Sequence, residues 1–121
     1  MYKAAIIGLG NIGQGYDYDC GDDSLILTHA SAYYYHKSFT LVSGVDNNKA
    51  KREMFSSKYK LPSYSDLDEM IKRENPNIFS ICTPLETHYD IFNQIMCYNP
   101  IAVILEKPMA ETSSQSEEMI S

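Results

Sequence analysis

Ala4-Ala5-Ile6-Ile7-Gly8-Leu9-Gly10-Asn11-Ile12-Gly13 is a short apolar run that passes directly into G-x-G-x-x-G. A run of this length suits a strand buried on both faces, as in a parallel sheet covered by helices. Each glycine then has a physical reason. Gly8 permits a tight turn, Gly10 removes the Cβ that would keep a pyrophosphate from the backbone, and Gly13 allows the next helix to pack closely on the strand. Asn11 and Ile12 lie between them, where the unpaired N–H groups and dipole of a helix N-terminus favour an anion. The stretch therefore predicts a dinucleotide-binding turn.

Outward from it, three further apolar runs read as strands: Phe39 to Val45, Ile78 to Ile81 and Ile101 to Leu105. A shorter fifth strand is expected at Leu61 to Tyr64. Helical spacing fills the gaps. Residues 48–59 place Ala50 and Met54 on one face, with Phe55 beside them, and Leu67, Met70 and Ile71 repeat at three and four residues. Ser65-Asp66-Leu67-Asp68 supplies a cap for that second helix and Asn75-Pro76 a stop. A helix from Glu86 to Cys97 buries Ile91 and Ile95, and another runs from Leu25 to about His36. Strands alternating with helices imply right-handed crossovers, hence an α/β fold: a doubly wound parallel sheet in three αβα layers, the Rossmann type.

The second strand ends in Asp46, whose carboxylate is placed to accept hydrogen bonds from the adenosine ribose hydroxyls. Its charge would repel a 2′-phosphate, so NAD is expected in preference to NADP. Lys49, Lys51 and Arg52 follow closely and weaken that preference. Asp46 stands 33 residues after Gly13, where about 20 is usual. The excess lies in an insertion over residues 14–28, rich in acid at Asp17, Asp19, Asp22 and Asp23. A calcium loop starting at Asp17 would need Gly at position 22 and Glu at position 28, where Asp22 and Thr28 stand. A solvated acidic loop is the simpler reading, with a substrate-facing or partner-facing insertion as the alternative.

Composition narrows the function classes. The 121 residues suffice for one domain with one core. With 10 Lys+Arg against 16 Asp+Glu, the net charge of -6 argues against a surface that tracks nucleic-acid phosphates. No apolar run approaches the about 20 residues that span a bilayer, and Met1-Tyr2-Lys3 leads into a strand instead of a signal peptide. A cytoplasmic protein with no membrane partner is expected. Cys20, Cys82 and Cys97 form no C-x-x-C pair, so neither a disulfide framework nor a metal site is expected.

Three blocks together resemble the Gfo/Idh/MocA oxidoreductases: Ala5 to Gly13, Ile81-Cys82-Thr83-Pro84 with His88, and Glu106-Lys107-Pro108. The resemblance covers essentially the whole chain and implies an NAD(P)-dependent dehydrogenase that moves a hydride between nicotinamide and a sugar, cyclitol or nucleotide-sugar hydroxyl or ketone. It implies that Thr83 and Pro84 line the nicotinamide side, that Glu106 helps to hold the loop and ribose, and that Lys107 is the catalytic lysine. A lysine there can hydrogen-bond a substrate hydroxyl and stabilise developing alkoxide charge. Members often carry a histidine three residues after the third glycine. Tyr16 stands there, and His29, beyond the insertion, is its candidate counterpart; His29 and His88 otherwise read as helix-surface or capping residues. Tyr33, Tyr34 and Tyr35 read as packing residues.

In the family the remaining catalytic groups come from a second domain. Residues 1–121 are read as the dinucleotide-binding domain alone, with the substrate domain absent. Thr112-Ser113-Ser114-Gln115 opens a helix that has no stop signal before Ser121, which reads as truncation. The fragment is expected to bind NAD with little or no turnover. A surface that would face the missing half is expected to be apolar and to favour a homo-oligomer. The resemblance leaves one alternative of another class, a non-catalytic NAD(P)-sensing regulatory module, against which Lys107 argues. A methyltransferase on a related sheet is disfavoured by Glu106-Lys107-Pro108.

Overall fold

The computed structural model describes residues 2–10, 13 and 29–105. Strand β1 spans Tyr2–Ile7, and α1 spans His29–Tyr35. Strand β2 (Phe39–Val45), helix α2 (Lys49–Tyr59), the short β3 (Ser63–Tyr64) and α3 (Leu67–Glu74) follow. Strand β4 (Ile78–Ile81) leads through a 3₁₀ turn at Leu85–Thr87 into α4 (His88–Met96), and β5 (Ala102–Leu105) is the last described strand. The strands form one parallel sheet in the order β3-β2-β1-β4-β5. The order reverses direction between β1 and β4, and open α/β sheets bind ligands beyond the carboxyl ends of strands at such a reversal.

Helices cover both faces, which gives the three layers that the alternation of elements implies. On one face Ala5, Ile7, Phe79 and Ile81 pack against Leu67, Met70 and Ile71 of α3 and Ile95 of α4. On the other, Ala4, Ile6, Leu41 and Ile78 pack against Ala30 and Tyr33 of α1 and Phe55 and Tyr59 of α2. The period of two along β1 sends Ala4 and Ile6 to one layer and Ala5 and Ile7 to the other.

Strand β2 breaks that period. Its register against β1 shifts between Ala4, opposite Leu41, and Ala5, opposite Ser43, so Val42 is the extra residue of a bulge. Without the shift Val45 would share a face with Leu41. With it, Leu41 joins the α1/α2 layer while Val42 and Val45 join the α3/α4 layer. Gly44 then faces Leu9 and Phe55, where a Cβ would lie 2.8 Å from Leu9 Cδ2. The bulge thus sets the direction in which Asp46, the first residue after β2, leaves the sheet.

Several local expectations need correction. The buried residues of α2 are Phe55 and Tyr59, whereas Ala50 and Met54 are exposed. The helix is capped at Asn48, whose side chain accepts from the Lys51 N–H, and its aromatic pair at i and i+4 gives more apolar area than alanine and methionine. Asp66, not Ser65, caps α3 by accepting from the Asp68 N–H, and Asn75 ends it in the left-handed conformation, φ 49°. Strand β3 is shorter than the stretch from Leu61 to Tyr64. Among the described residues β5 lies at the edge of the sheet and is covered on one face: Val103 and Leu105 are half-buried, but Ala102 and Ile104 are exposed. The helix expected from Leu25 is described only from His29, and the insertion and the segment from Thr112 lie outside the described residues.

Candidate cofactor site

A cleft of ≈ 720 Å³ opens at the carboxyl ends of β1, β2 and β4. Gly8 and Gly10 form one wall, Asp46, Asn47 and Lys51 the side beyond the end of β2, and Cys82, Thr83 and Pro84 the opposite side. These are the three chain segments that the sequence brings forward, and the fold gathers them at the strand-order reversal.

The glycines differ in what they permit. Gly8 has φ 99°, and a Cβ there would lie 2.7 Å from the carbonyl carbon of Cys82. Only glycine meets both demands at low cost. Two backbone hydrogen bonds bracket the turn, from Gly8 N to Val45 O at 2.8 Å and from Cys82 N to Ile7 O at 2.7 Å. A Cβ on Gly13 would run into the Gly8 carbonyl oxygen, so that residue lets the chain fold back against the turn. Gly10 is different: among the described residues a Cβ there would meet no atom nearer than Lys51 Nζ at 3.9 Å. No described protein atom requires glycine at this position. The space that the missing Cβ leaves is part of the cleft, which is the cradle that a pyrophosphate lying on the backbone needs. The residues present thus fit a dinucleotide. Asn11 and Ile12 lie outside the described residues.

Asp46 is held through most of its polar atoms. Its Oδ2 accepts from Leu9 N at 2.8 Å and its Oδ1 from Asn48 N at 2.8 Å. Its own N–H donates to Tyr64 O at 3.1 Å, and its carbonyl accepts from Arg52 Nη1 at 2.8 Å. Each carboxylate oxygen has a second lone pair, so the group can still accept from ribose hydroxyls. It also does something that the sequence does not announce: it fastens the glycine turn to the start of α2.

On the opposite side, Thr83 and Pro84 line the cleft and His88 does not. His88 is buried at 3% exposure, and its Nε2 lies 2.9 Å from the Thr83 carbonyl oxygen. A carbonyl can only accept, so Nε2 carries the proton. This corrects the reading of His88 as a helix-surface or capping residue: it is buried behind Thr83. Thr87 completes the support, with its hydroxyl 2.6 Å from both the Thr83 hydroxyl and the Pro84 carbonyl. Because a hydroxyl has one proton and the carbonyl only accepts, Thr87 donates to the Pro84 carbonyl and accepts from the Thr83 hydroxyl.

His29 begins α1 and does not line the cleft. Tyr33 is a core residue whose hydroxyl lies 2.6 Å from that of the buried Ser80, in line with its reading as packing. Burial pushes its phenol above the ordinary tyrosine range, a shift that the Ser80 hydrogen bond partly opposes. Glu106 and Lys107 lie outside the described residues. Sequence reasoning missed Lys51 as a wall residue, and also Thr87 and Gln94, which join the cleft from α4 and the turn before it. Their signal is position alone, one or two helical turns after a strand end. Among the described residues no cluster of three His, Cys, Asp or Glu side chains could hold a metal ion, and no helix is long and apolar enough to cross a membrane.

Comparison with known proteins agrees with this geometry. The model of the oxidoreductase family with an NAD-binding Rossmann fold, Gfo/Idh/MocA, matches residues 2–121. D-Glucoside 3-dehydrogenase of Escherichia coli (strain K12) is 28% identical over 119 residues, which is 97% of this chain and 30% of that protein. The structure is similar to a dehydrogenase (MviM) from Clostridium difficile, with TM-score 0.77 and 25% identity over 98% of this chain and 34% of the other. It is also similar to the WlbA dehydrogenase of Bordetella pertussis in complex with NADH and UDP-GlcNAcA, with TM-score 0.80 and 20% identity over 98% of this chain and 32% of the other. The chain thus spans about a third of the length of these relatives. It belongs to the Gfo/Idh/MocA oxidoreductase family, of which it carries the NAD-binding Rossmann fold.

Proposed function

We propose that this chain is the cofactor-holding unit of an NAD(P)-dependent dehydrogenase acting on a hydroxyl or ketone of a sugar, cyclitol or nucleotide sugar. The observation that carries the reading is the cleft itself, where the open backbone at Gly10, the Asp46 carboxylate and the Thr83-Pro84 wall stand at the strand-order reversal. The relatives support the substrate class, since one is a glucoside dehydrogenase and another holds a nucleotide sugar beside NADH. When bound, the cofactor supplies a hydride acceptor or donor; the chain's residues bind and orient it.

The roles divide by place. Gly8, Gly10, Asn11, Ile12 and Gly13 receive the pyrophosphate, and Asp46 accepts from the adenosine ribose. Thr83 and Pro84 bound the nicotinamide side, where Thr87 and His88 hold them in place. Glu106 steadies the ribose. Lys107 hydrogen-bonds the substrate hydroxyl and stabilises negative charge on that oxygen as hydride leaves carbon. The groups that complete substrate positioning and proton transfer belong to a second domain beyond this chain, so the chain alone binds cofactor without turnover.

The test is a calorimetric titration with NAD, followed by an assay of NAD reduction against a panel of sugars, cyclitols and nucleotide sugars. Saturable NAD binding with no reduction by the chain alone, and reduction by a protein that joins it to a second domain, is the expected result. A joined protein that binds NAD, reduces it with no member of the panel, and changes its association with a protein partner would replace this reading with the regulatory one.

A further inference from the structure

Gly8-Leu9-Gly10 carries a single side chain, that of Leu9. It turns away from the cleft: Gly8 and Gly10 line that space and Leu9 does not, and its side chain, 1% exposed, joins the layer of Ile6, Ala30, Tyr33 and Phe55. Its backbone N–H meanwhile donates to Asp46 Oδ2 at 2.8 Å. Leu9 is thus gripped at both ends, by a carboxylate beside the cleft and by the core beneath the turn.

The seat for that side chain is made in β2. Gly44 stands inside the sheet, opposite Ile6 of β1 and Ser63 of β3, a place where glycine weakens a strand. Among the described glycines Gly8 alone has a positive φ, so conformation does not call for glycine at position 44. Space does. A Cβ on Gly44 would lie 2.8 Å from Leu9 Cδ2, 3.2 Å from Leu9 Cδ1 and 3.3 Å from Phe55 Cδ2. Both branches of the leucine therefore stand against the volume that residue 44 gives up, with the Phe55 ring beside them. A close-packed layer transmits strain, so a larger residue at position 44 pushes on Leu9 and, through it, on the turn.

We infer that Leu9 is a positioning residue for the cofactor: seated in the space that Gly44 leaves, its side chain sets how far the Gly8 to Gly10 backbone stands into the cleft, and thereby the affinity for the dinucleotide. The inference rests on the dinucleotide reading of the cleft. Positioning and packing differ in what they do to binding. Strain that the core bears alone is equal in the free and the loaded chain, so it lowers the melting temperature and leaves affinity unchanged. Strain that the turn relieves by moving returns when the dinucleotide draws the turn back into place, and it appears as lost affinity.

The test is calorimetric titration with NAD for the native chain, Gly44→Ala, Leu9→Val, the double variant Leu9→Val/Gly44→Ala, and Ile78→Val, below the temperatures at which thermal melts show each to unfold. Gly44→Ala adds one carbon to the seat and Leu9→Val removes one, so the double variant conserves volume. Gly44→Ala should weaken NAD by about tenfold and Leu9→Val by about threefold, whereas the double variant should lie within about threefold of native. Ile78→Val removes one carbon from the same layer at the start of β4; it should lower the melting temperature and keep the native affinity. A folded Gly44→Ala protein that binds NAD as tightly as native, or a double variant weakened by the product of the two single effects, would overturn the inference. Should Gly44→Ala fail to fold, Leu9→Val beside Ile78→Val decides: loss confined to Leu9→Val supports the inference, and equal affinity in the two overturns it. These outcomes leave the cleft reading standing, which a native chain that binds no NAD would overturn as well.

Discussion

The backbone N–H of Leu9 donates to Oδ2 of Asp46 over 2.8 Å, joining the middle of the glycine turn to the end of β2 across 37 positions of sequence. The other oxygen of the same carboxylate accepts from Asn48 N at 2.8 Å. One side chain thus sets the position of the glycine turn relative to the start of α2. Asp46→Ala leaves two backbone donors without their acceptor. Unfolding in urea should show a loss of about 2 kcal/mol, and NAD affinity should fall by about tenfold or more. Asp46→Asn keeps one acceptor oxygen and should fall between.

Gly8 and Gly10 separate stability from binding. Gly8→Ala must hold an alanine at φ 99° with its Cβ 2.7 Å from the Cys82 carbonyl carbon, and a loss of about 2 kcal/mol or more is expected in denaturant titration. Among the described residues, Gly10→Ala puts a methyl group into the cleft and against no other atom nearer than Lys51 Nζ at 3.9 Å. Its stability should lie within about 0.5 kcal/mol of the native value, with NAD binding reduced by about tenfold or more.

His88 acts from behind the wall. His88→Ala removes the donor to the Thr83 carbonyl and opens a cavity in a buried place, so stability should fall by about 2 to 3 kcal/mol. NAD affinity should fall with it, although His88 does not line the cleft, because Thr83 and Pro84 lose their support. His88→Gln can present an amide N–H to Thr83 and should recover part of both losses. Equal NAD affinity in native and His88→Ala proteins would show that the wall stands without it.

Tyr33 gives a pH dependence with a definite sign. Burial raises its pKa in the folded chain above the unfolded value of 10.0. Unfolding therefore releases its proton more readily at alkaline pH. The stability that the neutral phenol contributes is complete below pH about 10 and is lost as pH rises through the higher folded value. Thermal melts of Tyr33→Phe should show a shallower alkaline decline than the native protein. At neutral pH the variant should lose about 1 kcal/mol through the orphaned Ser80 hydroxyl.

Much of this was legible in the residues. The apolar runs at Ala4, Phe39 and Ile78 are strands of a covered parallel sheet, as their length and alternation with helical segments imply, and Gly8-Leu9-Gly10 followed by Asp46 marks the cleft. What escaped depends on phase. The bulge at Val42 leaves no mark in an apolar run, yet it decides that Gly44 faces Leu9 and that Asp46 leaves toward the glycine turn. The face of α2 depends on its start at Asn48, and a shift of one residue exchanges Met54 for Phe55 in the core. That same start sends Lys51, and neither Lys49 nor Arg52, to the cleft. The burial of His88 was not legible, because its partner is a backbone carbonyl, that of Thr83, which leaves no mark in the residue types. The edge position of β5 was hidden because Ile101 to Leu105 is as apolar as a run buried on both faces.

The central claim is that the cleft over Gly10 holds a dinucleotide, and calorimetric titration of the chain with NAD beside Gly10→Ala tests it most directly. The account predicts saturable binding of one NAD per chain, lost or weakened by about tenfold or more in Gly10→Ala, with the melting temperatures of the two proteins alike. Undiminished NAD binding by a folded Gly10→Ala protein, or no NAD binding by the native chain, would contradict it.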